Sequence, residues 1–258
     1  MKAARALARV VVLLAFAASA NAAGEAPPRV VNAIRLVTLA ERIAKLHAQV
    51  GQGVLAERSR RALAEALRDF DASLKDVAAR APTVEARDNY ALLALLWKDY
   101  REWAARAPTR ENARKLRPRT EEVVWIAEKG ARLLQESARG ATSAAAARAA
   151  SGATLAQRIA KAYLWMRWDM RDDSLSRELG EARENLRRTL DTLRGAGGSA
   201  EIAAELQSAE SQLGFMNDAA RALEGREPTA RAIEFIAKTG DHIYESMERL
   251  ARLYEGAA

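Results

Sequence analysis

Leu39-Ala40-Glu41-Arg42-Ile43-Ala44-Lys45-Leu46-His47 returns as Leu155-Ala156-Gln157-Arg158-Ile159-Ala160-Lys161-Ala162-Tyr163, with six of nine positions identical at an offset of 116. A second echo lies further along each half. Pro118-Arg-Thr-Glu-Glu-Val-Val-Trp-Ile-Ala-Glu-Lys-Gly130 matches Pro228-Thr-Ala-Arg-Ala-Ile-Glu-Phe-Ile-Ala-Lys-Thr-Gly240 at an offset of 110. The two echoes come in the same order, which reads as a tandem duplication with a change of loop length.

The surrounding pattern is helical throughout. Leu36, Leu39, Ile43, Leu46 and Val50 follow 3-4-3-4 spacing, and Leu155, Ile159, Ala162, Met166 and Met170 do much the same in the second copy. Punctuation by Gly51-Gln52-Gly53, Ala81-Pro82-Thr83 and Pro108-Thr109 divides the first half into helices over 29–50, 53–80, 83–107 and 110–139, with Thr83 and Thr109 as N-caps. Pro118 is expected to kink or restart the fourth. Asp172-Asp173-Ser174, Gly195 to Ser199 and Gly225 to Thr229 divide the second half into 143–171, 173–195, 199–224 and 229–255. Helices this long span about 35–45 Å and suit antiparallel bundles joined by short turns. The expected fold is all-α: two tandem antiparallel four-helix bundle units, 23–139 and 140–258, forming a pseudo-symmetric pair.

The composition agrees. Of 258 residues only 14 are Gly and 6 Pro, which favours helix, and the absence of Cys excludes disulfide scaffolds, thiolate metal sites and cysteine nucleophiles. Residues 1–22 carry Lys2, Arg5 and Arg9, an apolar run from Val10 to Ala18, and Ala20-Asn21-Ala22, the pattern of a cleaved secretory signal peptide. Cleavage takes three positive charges from the formal +7 and leaves +4, and it predicts a periplasmic product. The remaining basic residues alternate with Glu and Asp along helix faces, a solvated pattern that speaks against nucleic acid as a partner.

Residues 155–164, Leu-Ala-Gln-Arg-Ile-Ala-Lys-Ala-Tyr-Leu, resemble the core of the signature helix of the PilJ-type sensor domain. That is the extracytoplasmic domain of type IV pilus methyl-accepting chemotaxis transducers, and it is similar to the NarX-type nitrate/nitrite sensor module. The resemblance implies a periplasmic, non-enzymatic sensor bundle that holds a small anion between signature helices and signals through a membrane-bound partner. Arg42 and Arg158 fall on the family's downstream arginine, and Lys45 and Lys161 on its lysine. Val31 falls at the family's Asn, with Asn32 beside it. Val37 and Ala153 stand where the family carries its anion-holding arginine, followed by Thr38 and Thr154 in place of Met. Arg35, two turns before Arg42, is positioned to substitute in the first copy; the second offers only Ser151.

The candidate ligand residues are therefore Arg35, Arg42, Lys45, Arg158 and Lys161. A guanidinium beside an apolar stripe presents a forked donor set to an oxyanion. Its competing role is an ion pair across the bundle, and the lysines are expected to be solvated. The clusters Trp97/Tyr100/Trp103 and Tyr163/Trp165/Trp168 have helical spacing and read as packing, with an aromatic cage for a cation as the alternative. The two histidines, His47 and His242, lack the Glu-x-x-His pattern of a di-iron bundle, so no metal or cofactor is expected. With no nucleophile–base pair in view, the chain reads as no enzyme. The rival to the sensor is a structural or interaction bundle of the envelope without a small ligand.

Overall fold

The computed structural model describes residues 27–138, 143–221 and 229–256, so the proposed signal peptide lies outside the described residues. These residues form eight helices and no strand: α1 (Pro27–Gly51), α2 (Ala56–Ala79), α3 (Val84–Ala105), α4 (Arg110–Ala138), α5 (Ala144–Arg167), α6 (Asp173–Ala196), α7 (Ala200–Arg221) and α8 (Ala230–Gly256). The expected caps form. The Thr83 and Thr109 hydroxyls accept from the amides of Ala86 and Asn112, and Asp172 accepts from Leu175 at 2.7 Å. Between α1 and α2 the chain turns through Gly53 at φ 71° and Leu55 at φ 50°, a left-handed passage that delays the start of α2 to Ala56. Two expectations change. The fifth helix stops at Arg167 rather than 171, because Asp169 adopts φ 55°. Helix α4 runs unbroken through Pro118, with Leu116, Thr120 and Val123 buried on either side of it. Packing of that face holds the helix across the one missing backbone donor.

Successive helices run antiparallel. Arg35 bonds Asp69 and Asn32 bonds Asp76 across α1 and α2, while Asn89 donates to the Ile126 carbonyl across α3 and α4. In the second half, Arg249 holds Glu205 across α8 and α7. The packing continues between the halves: α1 contacts α2, α4 and α5, and α5 contacts α1, α6 and α8. Helices α1 and α5 are thus enclosed by the others. They run parallel, since Thr38 meets Thr154 and, further along, Gln52 donates to the Leu164 carbonyl at 2.8 Å. Buried side chains from all eight helices join in one apolar core, with Leu36, Ile43 and Ile159 at its centre.

Thr38 and Thr154 occupy the same place in the two copies, and their hydroxyls lie 2.7 Å apart, buried in the α1–α5 seam. Thr38 also donates to the Ile34 carbonyl, so Thr154 is the donor across the seam. Thr38→Val leaves that donor buried without an acceptor and should cost about 1–3 kcal/mol. The double variant Thr38→Val/Thr154→Val removes both groups and should recover most of the loss. Urea denaturation of wild type, Thr38→Val, Thr154→Val and the double variant measures the difference; a loss in Thr154→Val as large as in Thr38→Val would contradict the assigned direction.

Candidate functional site

The two echoed segments bring four of the five candidate cations into the seam region, but to two separate places. On one side, Lys45 of α1 is fully buried and paired with Asp241 of α8. One turn earlier, Arg42 lies with its guanidinium 4.7 Å from the Tyr244 ring, its Nε buried without an acceptor. On the other side, Arg158 of α5 reaches Glu41 of α1 at 2.6 Å, Glu128 of α4 at 2.9 Å and Glu178 of α6 at 3.7 Å. Lys161, 1% exposed, pairs with Glu41 at 2.6 Å and Glu178 at 2.9 Å, under the Trp165 ring. The fifth candidate, Arg35, bonds Asp69 near the surface at 3.0 Å.

The expectation that Lys45 and Lys161 are solvated is corrected by this arrangement. Both belong to helices enclosed on nearly every side, so their ammonium groups end inside the protein and require carboxylates there. Sequence reasoning missed Glu128, Glu178 and Asp241, the residues that meet this need, because each lies on a different helix from the cation it serves. One signal was present: Glu41 and Gln157 are the copies' equivalent polar residues, and both are buried at 1% or less. A polar side chain at that place in both copies marks a second buried stripe, 38/41/45 and 154/157/161.

Electrostatics inside the seam follow from burial and pairing together. Burial alone would raise the Glu41 carboxyl, but the Lys161 and Arg158 charges together outweigh it and hold it below the usual carboxylate range. Asp241 behaves alike: burial raises it, and Lys45 with Arg42 brings it below its usual value. Burial lowers Lys45 despite the opposing pull of Asp241.

The Arg158–Lys161 side opens to solvent through a cleft of about 290 Å³ between α4, α5 and α6. Five carboxylates (Glu41, Glu121, Glu128, Glu178, Glu181) and three cations (Arg158, Lys161, Arg177) line it, a net of −2 in a chain of formal charge +7. Trp125, 61% exposed, stands at its wall. Two other tryptophans are occupied. Trp97 stacks on Phe70 at 3.8 Å and donates to Asp71, and Trp103 is covered by the protein's own Arg106, Arg119 and Lys115. Among the described residues no group of three or more acidic or histidine side chains is placed to hold a metal ion.

His47 is buried near the Arg106 backbone and edge-on to Trp168, and desolvation pushes its imidazole down to about 4. It is therefore neutral in the fold at pH 7. A group depressed from an ordinary 6.5 contributes stability that is full above 6.5 and lost as pH falls toward about 4. The window amounts to about 3 kcal/mol. The depressed carboxyls of Glu41 and Asp241 act in the same direction but at lower pH, below the usual carboxylate range. His47→Leu should flatten the urea-denaturation midpoint between pH 6.5 and 4.5 while leaving the steeper acid loss in place; a variant as pH-dependent as the parent over that range would refute the assignment.

No protein-family model, no curated protein and no solved structure matches the chain.

Proposed function

We propose that the chain is a non-catalytic ligand-binding protein of the cell envelope, of the PilJ/NarX-type sensor class, whose site is the α4–α5–α6 cleft. The carrying observation is that the buried charge network between the two signature helices reaches solvent there. The charge of the cleft favours a small organic cation. An ammonium group entering beside Glu181 and Trp125 gains from the net negative lining. A bare oxyanion such as nitrate or nitrite has less to gain, because the Arg158 fork already holds Glu41 and Glu128 and Lys161 already holds Glu178. The cleft lies at the small end of the range for compact ligands.

Binding at this place has a route to the fold. Glu178 ties α6 to α5 through both Lys161 and Arg158. A cation that draws Glu178 toward the cleft weakens that tie and lets α6 shift against α5, a packed displacement that a membrane-bound partner reads.

Calorimetric titration of the full chain with a short-chain diamine, a quaternary ammonium salt, nitrate and nitrite tests the reading. The diamine should bind saturably, change tryptophan fluorescence, and lose roughly tenfold in affinity in Glu181→Gln. Failure of every cation to bind would overturn the cationic ligand. Nitrate binding that disappears in Arg158→Ala would instead establish the oxyanion sensor implied by the signature helix. A second reading, an interaction bundle without a small ligand, is favoured by one further observation: large apolar side chains exposed on the outer helices.

A further inference from the structure

Trp125 of α4 and Phe235 of α8 stand at the same place in the second sequence echo, seven residues after Pro118 and Pro228. Both side chains point outward, 61% and 44% exposed, although their neighbours Ile126 and Ile236 are buried. Each has an apolar companion on the adjoining helix. Leu92 of α3, 44% exposed, lies on the side of α3 that meets α4, between the Asn89–Ile126 and Asp99–Arg119 contacts. Phe215 of α7, 53% exposed, lies toward α8, beyond the Ser208–Ser246 contact. The molecule therefore carries two related faces, α3/α4 and α7/α8, each with a pair of uncovered large apolar groups.

Their flanking charges are opposite. Four residues before and three after the aromatic stand Glu121 and Glu128 in the first face, but Arg231 and Lys238 in the second. Glu121, Arg231 and Lys238 are exposed, and Glu128 is partly exposed. Contact between two α3/α4 faces would set Glu against Glu, and contact between two α7/α8 faces would set Arg and Lys against each other. The mixed contact sets the acidic flank of Trp125 against the basic residues on either side of Phe235. Glu121 with Arg117 and Lys238 with Glu234 pair through carboxylates or ammonium groups near the surface and can exchange, whereas Glu128 stays with Arg158.

We infer that this chain associates with further copies of itself head to tail, the Trp125 face of one copy docking on the Phe235 face of the next. Every copy carries one face of each kind, so the contact is heterologous and leaves a free face at either end of the assembly unless a ring closes. The indole and the phenyl rings supply the buried apolar area, Glu121 against Arg231 sets the register, and the contact covers the mouth of the α4–α5–α6 cleft that Glu121 and Trp125 line.

Sedimentation velocity on the purified full chain tests this over a range of protein and salt concentrations. Wild type should form species larger than a monomer that grow with concentration and dissociate as salt is raised. Trp125→Ser and Phe235→Ser, both surface changes whose folding circular dichroism checks, should each be monomeric alone. Mixed together they should give a one-to-one dimer and nothing larger, because each retains one competent face. Glu121→Lys and Arg231→Glu should each weaken association, and the chain carrying both should recover it. A wild type that stays monomeric up to its solubility limit overturns the inference. So does a Trp125→Ser protein that assembles like wild type, or a mixture of the two serine variants that stays monomeric.

Discussion

Two buried lysines govern this structure. Lys45 and Lys161 sit on the central pair of helices, packed against α2, α4, α6 and α8, and each ammonium group is buried in the seam. A buried, unpaired charge of this kind is too costly to keep, so the fold exists only in arrangements that bring carboxylates to it. That requirement fixes more than two contacts. Asp241 must arrive from α8 at the level of Lys45, and Glu178 from α6 at the level of Lys161. Sliding α1 along α5 by one turn would part Glu41 from both Arg158 and Lys161. Apolar packing of Ala-rich faces tolerates such a slip far better, because one small side chain replaces another. The charges therefore select the register that the small residues permit.

The two copies solve the same problem differently. In the first, position 41 is Glu, and the seam itself supplies a carboxylate to the partner helix. In the second, the matching position 157 is Gln, and the charge on Lys45 is met instead from α8. One consequence is that the two sides of the seam differ in access. Tyr244 covers Arg42 on the Lys45 side, whereas Arg158 meets three carboxylates on a side that opens to a cleft. The candidate ligand site thus follows from an imbalance between the copies rather than from either copy alone.

Helix identity and limits were legible in the sequence because they depend on local signals: apolar spacing, Gly and Pro breaks, and the caps at Thr83 and Thr109. Helix α5 ended early because a left-handed residue, Asp169, stopped it without a Gly to announce the turn. The signature cations were also visible, but their surroundings were not. Reading α1 as amphipathic gave it one buried stripe and left Lys45 in solvent. In the fold it has neighbours on several sides, and residues 33, 36, 37, 38, 40, 41 and 45 are buried alike. The clue was the sparseness of charge in the segments 36–50 and 149–166, which suits a central helix better than a surface one. The carboxylates that complete the network could not be assigned from spacing, since each is brought in by a separate helix.

The outer helices obey a different rule from the central pair. Helices α2 and α6 carry charged, strongly amphipathic sequences and meet water with salt-bridged faces such as Arg187 with Glu184 and Asp191. Helices α3, α4, α7 and α8 break that rule at Leu92, Leu95, Trp125, Phe215 and Phe235. Scattered apolar side chains on a surface are ordinary, but large aromatic ones repeated at matching places in both halves are not scattered. The sequence echo around Pro118 and Pro228 matches their recurrence but not the reversal of charge around them. Glu121 beside Trp125 and basic residues at 231 and 238 beside Phe235 give the two flanks opposite charge. Within one chain the seam between α1 and α5 is already filled by the other half. The surfaces left over are the ones on which the halves differ most, and that difference gives one copy a reason to recognise the next.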